Sequence, residues 1–276
     1  MKRKLAFLLM LCFGWSFFLN GCGGTLPKTD DRLQVVCTIF PEYDWARQLT
    51  QGVDNVDLTL LVKNGTDLHS YQPSVRDIAM IARADVFCYV GGVSDTWVND
   101  VLDTTENRTA QLVSMAEAAD ADEEVLAEGM QAEHEHEHEH EHEHHDDEND
   151  SHEEPPELDE HVWLSLRRAA LACTAMKEAL CKADPAHEDI YNQNCTDYLQ
   201  KLQELDSDFT EMTSQAARDT IVVADRFPFR YLAEDYGLTY YAAFPGCSAE
   251  TEASFETIVF LSEKVESLHL PCVLVT

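Results

Sequence analysis

From Thr109 to Leu166 the chain contains no lysine or arginine at all. Acids crowd the same stretch, so much of the formal net charge of -33 belongs to one segment. A surface of that sign repels phosphate, which argues against nucleic acid as a partner and makes cations the natural one. Catalytic signatures are missing too. There is no HExxH, no nucleophile elbow and no glycine loop built to cradle phosphate, so the chain is not expected to be an enzyme. No CxxC pair suggests a zinc knuckle. The apolar run Leu5 to Leu19 is too short for a comfortable membrane span.

That run follows Lys2, Arg3 and Lys4 and ends in Leu19-Asn20-Gly21-Cys22. A basic start, an apolar centre and a small residue before a cysteine make a secretory leader, and its end resembles the bacterial lipobox. Residues 1–22 are therefore expected to be a lipoprotein signal, with Cys22 the acylated residue and 23–31 a polar tether. The mature protein would be held by lipid on the extracytoplasmic face of the membrane. Apart from Cys12 and Cys22, seven cysteines remain. Seven cannot all pair, and most are expected to be free thiols. Cys37, Cys88 and Cys272 lie in apolar strand-like runs, where cysteine behaves as a small buried hydrophobe.

The basic-free stretch contains EHEHEHEHEHEHHDDENDSH, which holds eight of the twelve histidines: His134, His136, His138, His140, His142, His144, His145 and His152. Imidazole is a good ligand for zinc, copper and nickel, and the interleaved carboxylates attract cations. Low complexity makes this an auxiliary collector of ions rather than a shaped site. The insertion, 117–158, is expected to be disordered.

Strand-like and helical patterns alternate around it. LQVVCTI, VDLTLLV, DVFCYVGG and AQLVSM read as strands, separated by helices that begin at Pro41, at Ser74 and near Asp95. Ser74 with Asp77 forms a capping-box pair. Such alternation implies an α/β fold with a parallel sheet, over 32–165. Residues 166–217 read as linking helices. The longer has apolar positions Tyr191, Tyr198, Leu202, Leu205, Phe209 and Met212 in a helical stripe that would lie along both lobes. A second, shorter α/β lobe follows over 218–276, with strands at TIVVAD, TYYAAF and PCVLVT.

Ligands of open α/β sheets gather outside the carboxyl ends of the strands. His69 occupies such a loop directly after VDLTLLV, and His161 stands before a helix with Trp163 close by. GTDLHSYQP resembles the G-x-D-P-H-x-Y-x-P segment of the periplasmic or lipid-anchored metal-binding subunits of ABC importers for zinc and manganese. DEHVWLS resembles their D-P-H-x-W-L-x segment. Zinc members also carry a His-rich acidic loop between the two.

The resemblance runs from Leu33 to the end and implies two α/β lobes joined by a long rigid helix, with metal in the cleft and His69 and His161 as ligands. It implies extracytoplasmic capture of Zn(II), or of Mn(II), and delivery to an ABC permease by a monomer. A surface lipoprotein that buffers metal or mediates adhesion is the alternative. Leu68 and Glu160 replace the prolines that usually precede the two histidines, read here as a change in loop stiffness. Zinc members place a third histidine where this chain has Arg226, which cannot ligate. Asp225, expected at the carboxyl end of a strand, is either the substitute ligand or an acid that neutralises Arg226 or Arg230. The family's fourth, acidic ligand would lie beyond Thr276, so the second lobe is expected to be cut short.

Overall fold

The computed structural model describes residues 32–63, 65–105, 109–130, 157–248 and 252–275. Cys22 and the eight loop histidines lie outside them. The first lobe runs β1 (Leu33–Cys37), α1 (Phe40–Leu49), β2 (Val56–Leu60), α2 (Val75–Ile81), β3 (Val86–Tyr89), α3 (Trp97–Thr104), β4 (Gln111–Ser114) and the single turn α4 (Met115–Ala118). Its four strands form a parallel sheet in the order β2-β1-β3-β4.

The central strands β1 and β3 are largely apolar because both faces of the sheet are covered there, whereas the edge strands β2 and β4 are only partly buried. Leu33, Val35 and Cys37 of β1, with Val86 and Cys88 of β3, pack on one side against Trp45, Ala46 and Leu49 of α1 and Met176 and Leu180 of the following helix. Val36 and Phe87 point the other way, to Ile81, Trp97 and Val101. The period of two along each strand thus divides the core into two layers. Ser74 caps α2 with both bonds of the capping box in place, which satisfies donors that the first turn leaves open. Gly52, at φ +86°, turns the chain between α1 and β2 in a conformation that suits glycine.

Two helices lead onward, α5 (Leu166–Ala183) and α6 (Glu188–Ser214). Tyr191, Cys195 and Leu202 of α6 are buried against the first lobe, whereas Leu205 and Met212 are exposed. The apolar stripe is therefore covered over its first half. Further on, Phe209 stacks on Tyr236 at 5.2 Å, and Asp206 accepts from the Tyr236 hydroxyl at 3.1 Å. In this way α6 reaches the second lobe: β5 (Thr220–Phe227), α7 (Arg230–Asp235), β6 (Thr239–Pro245) and α8 (Phe255–Ser267).

β5 and β6 pair in parallel, with Val222 facing Leu261 of α8 and Val223 facing Ala233 of α7. Phe255 and Ile258 of α8 stay exposed. Among the described residues no helix is long and apolar enough to cross a membrane.

Three expectations change. PCVLVT does not become a full strand. It touches β5 through one bridge, Val223 with Leu274, and the ladder stops at Ala224, where β5 bulges between Val223 and Arg226. Cys272 in that segment is exposed rather than buried. The insertion is also narrower than 117–158. Arg168 donates to the carbonyl of Ala119 at 2.7 Å and pairs with Asp122, while Glu123 bridges Leu158, so the segment through Met130 is built into the fold.

Candidate metal centre

His69 sits in a single 3₁₀ turn, Leu68–Ser70, beyond β2. Asp67 holds that turn by accepting from the His69 amide at 3.1 Å. Its ring is aimed by Ser94, whose hydroxyl lies 2.7 Å from Nδ1, and by Glu160, whose Oε1 lies 3.3 Å from the same nitrogen. His161 is almost fully buried. Asp159 accepts from its amide at 3.1 Å and lies 3.0 Å from its Nδ1. Trp163 packs at 5.1 Å between ring centroids, and the two imidazoles stand 5.7 Å apart. Each histidine thus presents Nδ1 to a carboxylate, an arrangement that sets the tautomer and leaves Nε2 with its lone pair for a cation.

Glu160 is the residue that sequence reasoning undervalued. In place of a loop-stiffening proline stands a fully buried carboxylate. It accepts from the amide of Ser94 at 3.0 Å and from the Ser94 hydroxyl. Burial pushes its pKa up, but the bonds from His69 and Ser94 outweigh burial and leave it lowered. The acid is therefore held as an anion between two histidines. Gly92 makes the room: a Cβ there would lie 2.3 Å from Glu160 Oε2 and 2.5 Å from its Cβ. His69, Glu160 and His161 each offer a ligand atom within 4.8 Å of the others.

Asp225 does not join them. β5 continues two residues past it, so Asp225 lies at the bulge rather than at the strand's carboxyl end, and its Oδ1 accepts from the Arg226 amide at 2.8 Å. Arg226 instead reaches Asp67 of the first lobe at 3.7 Å. Among the described residues the second lobe's contribution to a ligand cluster is Cys247, grouped with Asp159 and His161. Cysteine count could not have found it, because its partner stands 86 residues away.

Two parallel α/β lobes, a long connecting helix and a buried imidazole–carboxylate cluster at the loops between them define a solute-binding protein of the metal-binding class. The chain belongs to the family described as zinc-uptake complex component A, periplasmic, which matches residues 35–276. It is 32% identical to the zinc-binding lipoprotein AdcA of Streptococcus pneumoniae over 96% of this chain and 48% of that protein. It is also 32% identical to the high-affinity zinc uptake system protein ZnuA of Bacillus subtilis, over 84% of this chain and 68% of the relative. The crystal structure of the Zn(II)-bound ZnuA-like domain of Streptococcus pneumoniae AdcA superposes with a TM-score of 0.62 at 29% identity, covering 86% of this chain and 76% of that one. The chain spans about half the length of the first curated relatives it matches.

Proposed function

We propose that the protein captures Zn(II) on the extracytoplasmic face of the membrane and passes it to an ABC permease. The observation that carries the reading is the pair of imidazoles, His69 and His161, 5.7 Å apart with the buried Glu160 carboxylate between them. Two imidazole nitrogens suit tetrahedral zinc, and waters or further side chains complete four ligands. Glu160, bonded to Ser94 and facing His69 Nδ1, orients His69 and lends its negative charge to the site, and the ligand place first given to Asp225 is left to another donor. The imidazole content favours zinc over manganese, which prefers more oxygens. The protein acts as a monomer tethered through lipid on Cys22, and the histidines from His134 to His152 gather ions for the cleft.

Competition titration against a chelator, with zinc and with manganese, tests this. Zinc should bind at least about 100-fold more tightly than manganese. His69→Ala and His161→Ala should each lose the tight site, because the remaining donors are too few for a closed shell. Equal, weak binding of both metals would overturn the reading. Deleting residues 131–156 should lower the number of ions bound while leaving the tight site in place. A Cys22→Ser protein should leave the membrane fraction.

A further inference from the structure

We infer that Asp159, His161 and Cys247 form a second, thiolate-containing metal site on the opposite edge of the His161 ring, selective for a soft divalent cation such as zinc or cadmium. The inference rests on the reading of this cleft as metal-binding, but uses different atoms. Cys247 follows β6 in the tight turn Pro245-Gly246-Cys247, and its Sγ lies 4.0 Å from His161 Nδ1. Asp159 Oδ1 lies 3.0 Å from that same nitrogen. All three donors fall within 4.8 Å of one another.

The turn is shaped for this approach. A Cβ on Gly246 would lie 2.8 Å from both Cε1 and Nδ1 of His161, so only a bare backbone lets the turn lie against the ring. Glu124 Oε1 accepts from the Cys247 amide at 3.2 Å and anchors the turn to the first lobe. Zinc bonds of about 2.0 Å to nitrogen and about 2.3 Å to sulfur place such donors roughly 3.5 Å apart at a tetrahedral angle. The observed separation needs a shift of about half an ångström to match.

The chemistry is uncommon for a site of imidazoles and carboxylates. Thiolate selects softer cations than carboxylate does. Binding forms a metal–sulfur bond and releases the thiol proton to solvent. The Nδ1 proton of His161 moves to Nε2, since a neutral ring ligates through one nitrogen at a time. The two sites are consequently alternatives that share one imidazole, and a single ion can occupy either edge of His161. One draws both histidines from the first lobe, and the other draws its sulfur from the second.

Co(II) reports on the sulfur directly, because a thiolate ligand adds an intense near-ultraviolet charge-transfer band that imidazole and carboxylate do not supply. The full chain carrying His69→Ala, which removes the first site, should show this band on Co(II) addition. The same chain with Cys247→Ser added should lose it while keeping the parent melting temperature. Zinc should also slow alkylation of Cys247 at least about tenfold and leave the exposed Cys272 unaffected. A missing band in His69→Ala, or a band that survives Cys247→Ser, overturns the second site. Neither result bears on zinc capture, which fails instead if the parent chain shows no tight zinc binding by chelator competition.

Discussion

A histidine binds metal well when its other nitrogen is already spoken for, and Asp159 and Glu160 meet that need for His161 and His69. Asp159→Asn keeps the shape but weakens the acceptor that orients His161. Zinc affinity should fall by roughly 10- to 100-fold, with little change in melting temperature, as read by chelator competition and calorimetry. Glu160→Pro restores the residue that the resemblance leads one to expect and removes a buried acid. It should weaken zinc binding by at least a similar factor, because Ser94 and His69 lose their common partner. Unchanged affinity in that variant would return Glu160 to a role in loop geometry alone.

The elements that carry these residues are positioned by local rules that can be tested separately. Ser74 and Asp77 form a reciprocal cap at the start of α2, just beyond the His69 turn. Ser74→Ala should cost about 1 kcal/mol in denaturant titration. Glu42, in the first turn of α1, is fully buried and accepts from the amides of Thr38 and Ile39. Burial raises its pKa to about 8, against the bonds that favour the anion.

A carboxyl whose folded pKa is raised holds its proton in the native state while the unfolded chain has lost it. Between the ordinary value and about 8 the native state binds more protons, so this group makes stability fall as pH rises through that window. The slope can reach about 1.4 kcal/mol per pH unit. Glu42→Gln should flatten the decline of the melting temperature between pH 5 and 8.

At the scale of the molecule, the lobes meet through Tyr231 of α7. Its hydroxyl donates to the carbonyl of Asp159 at 2.7 Å and accepts from the amide of Asp122 at 3.0 Å. Arg168 lies over its ring at 4.1 Å. Tyr231→Phe leaves the Asp159 carbonyl without this donor in a buried place, which should cost about 1–3 kcal/mol of stability. Zinc affinity should drop several-fold with it, because Asp159 orients His161. Loss of stability with unchanged affinity would show that the interlobe contact and the metal centre are independent.

By itself the sequence determined the alternation of buried strands and amphipathic helices, the capped start of α2 and the long α6. Each rests on a period or a cap confined to a few neighbouring residues. His69 and His161 were singled out as candidates for a related reason: each stands in a short motif whose neighbours resemble those of a known family. Only the tertiary structure decided that Glu160 is buried against Ser94 and His69, that Cys247 faces His161 and that Asp225 lies outside the histidine cluster. Those facts depend on contacts between residues 66 and 86 positions apart, and on space left by Gly92 and Gly246. A bulge in β5 moved Asp225 away from the strand end on which its assignment rested. Local pattern specifies an element; which side chains it brings face to face is settled by how the lobes pack.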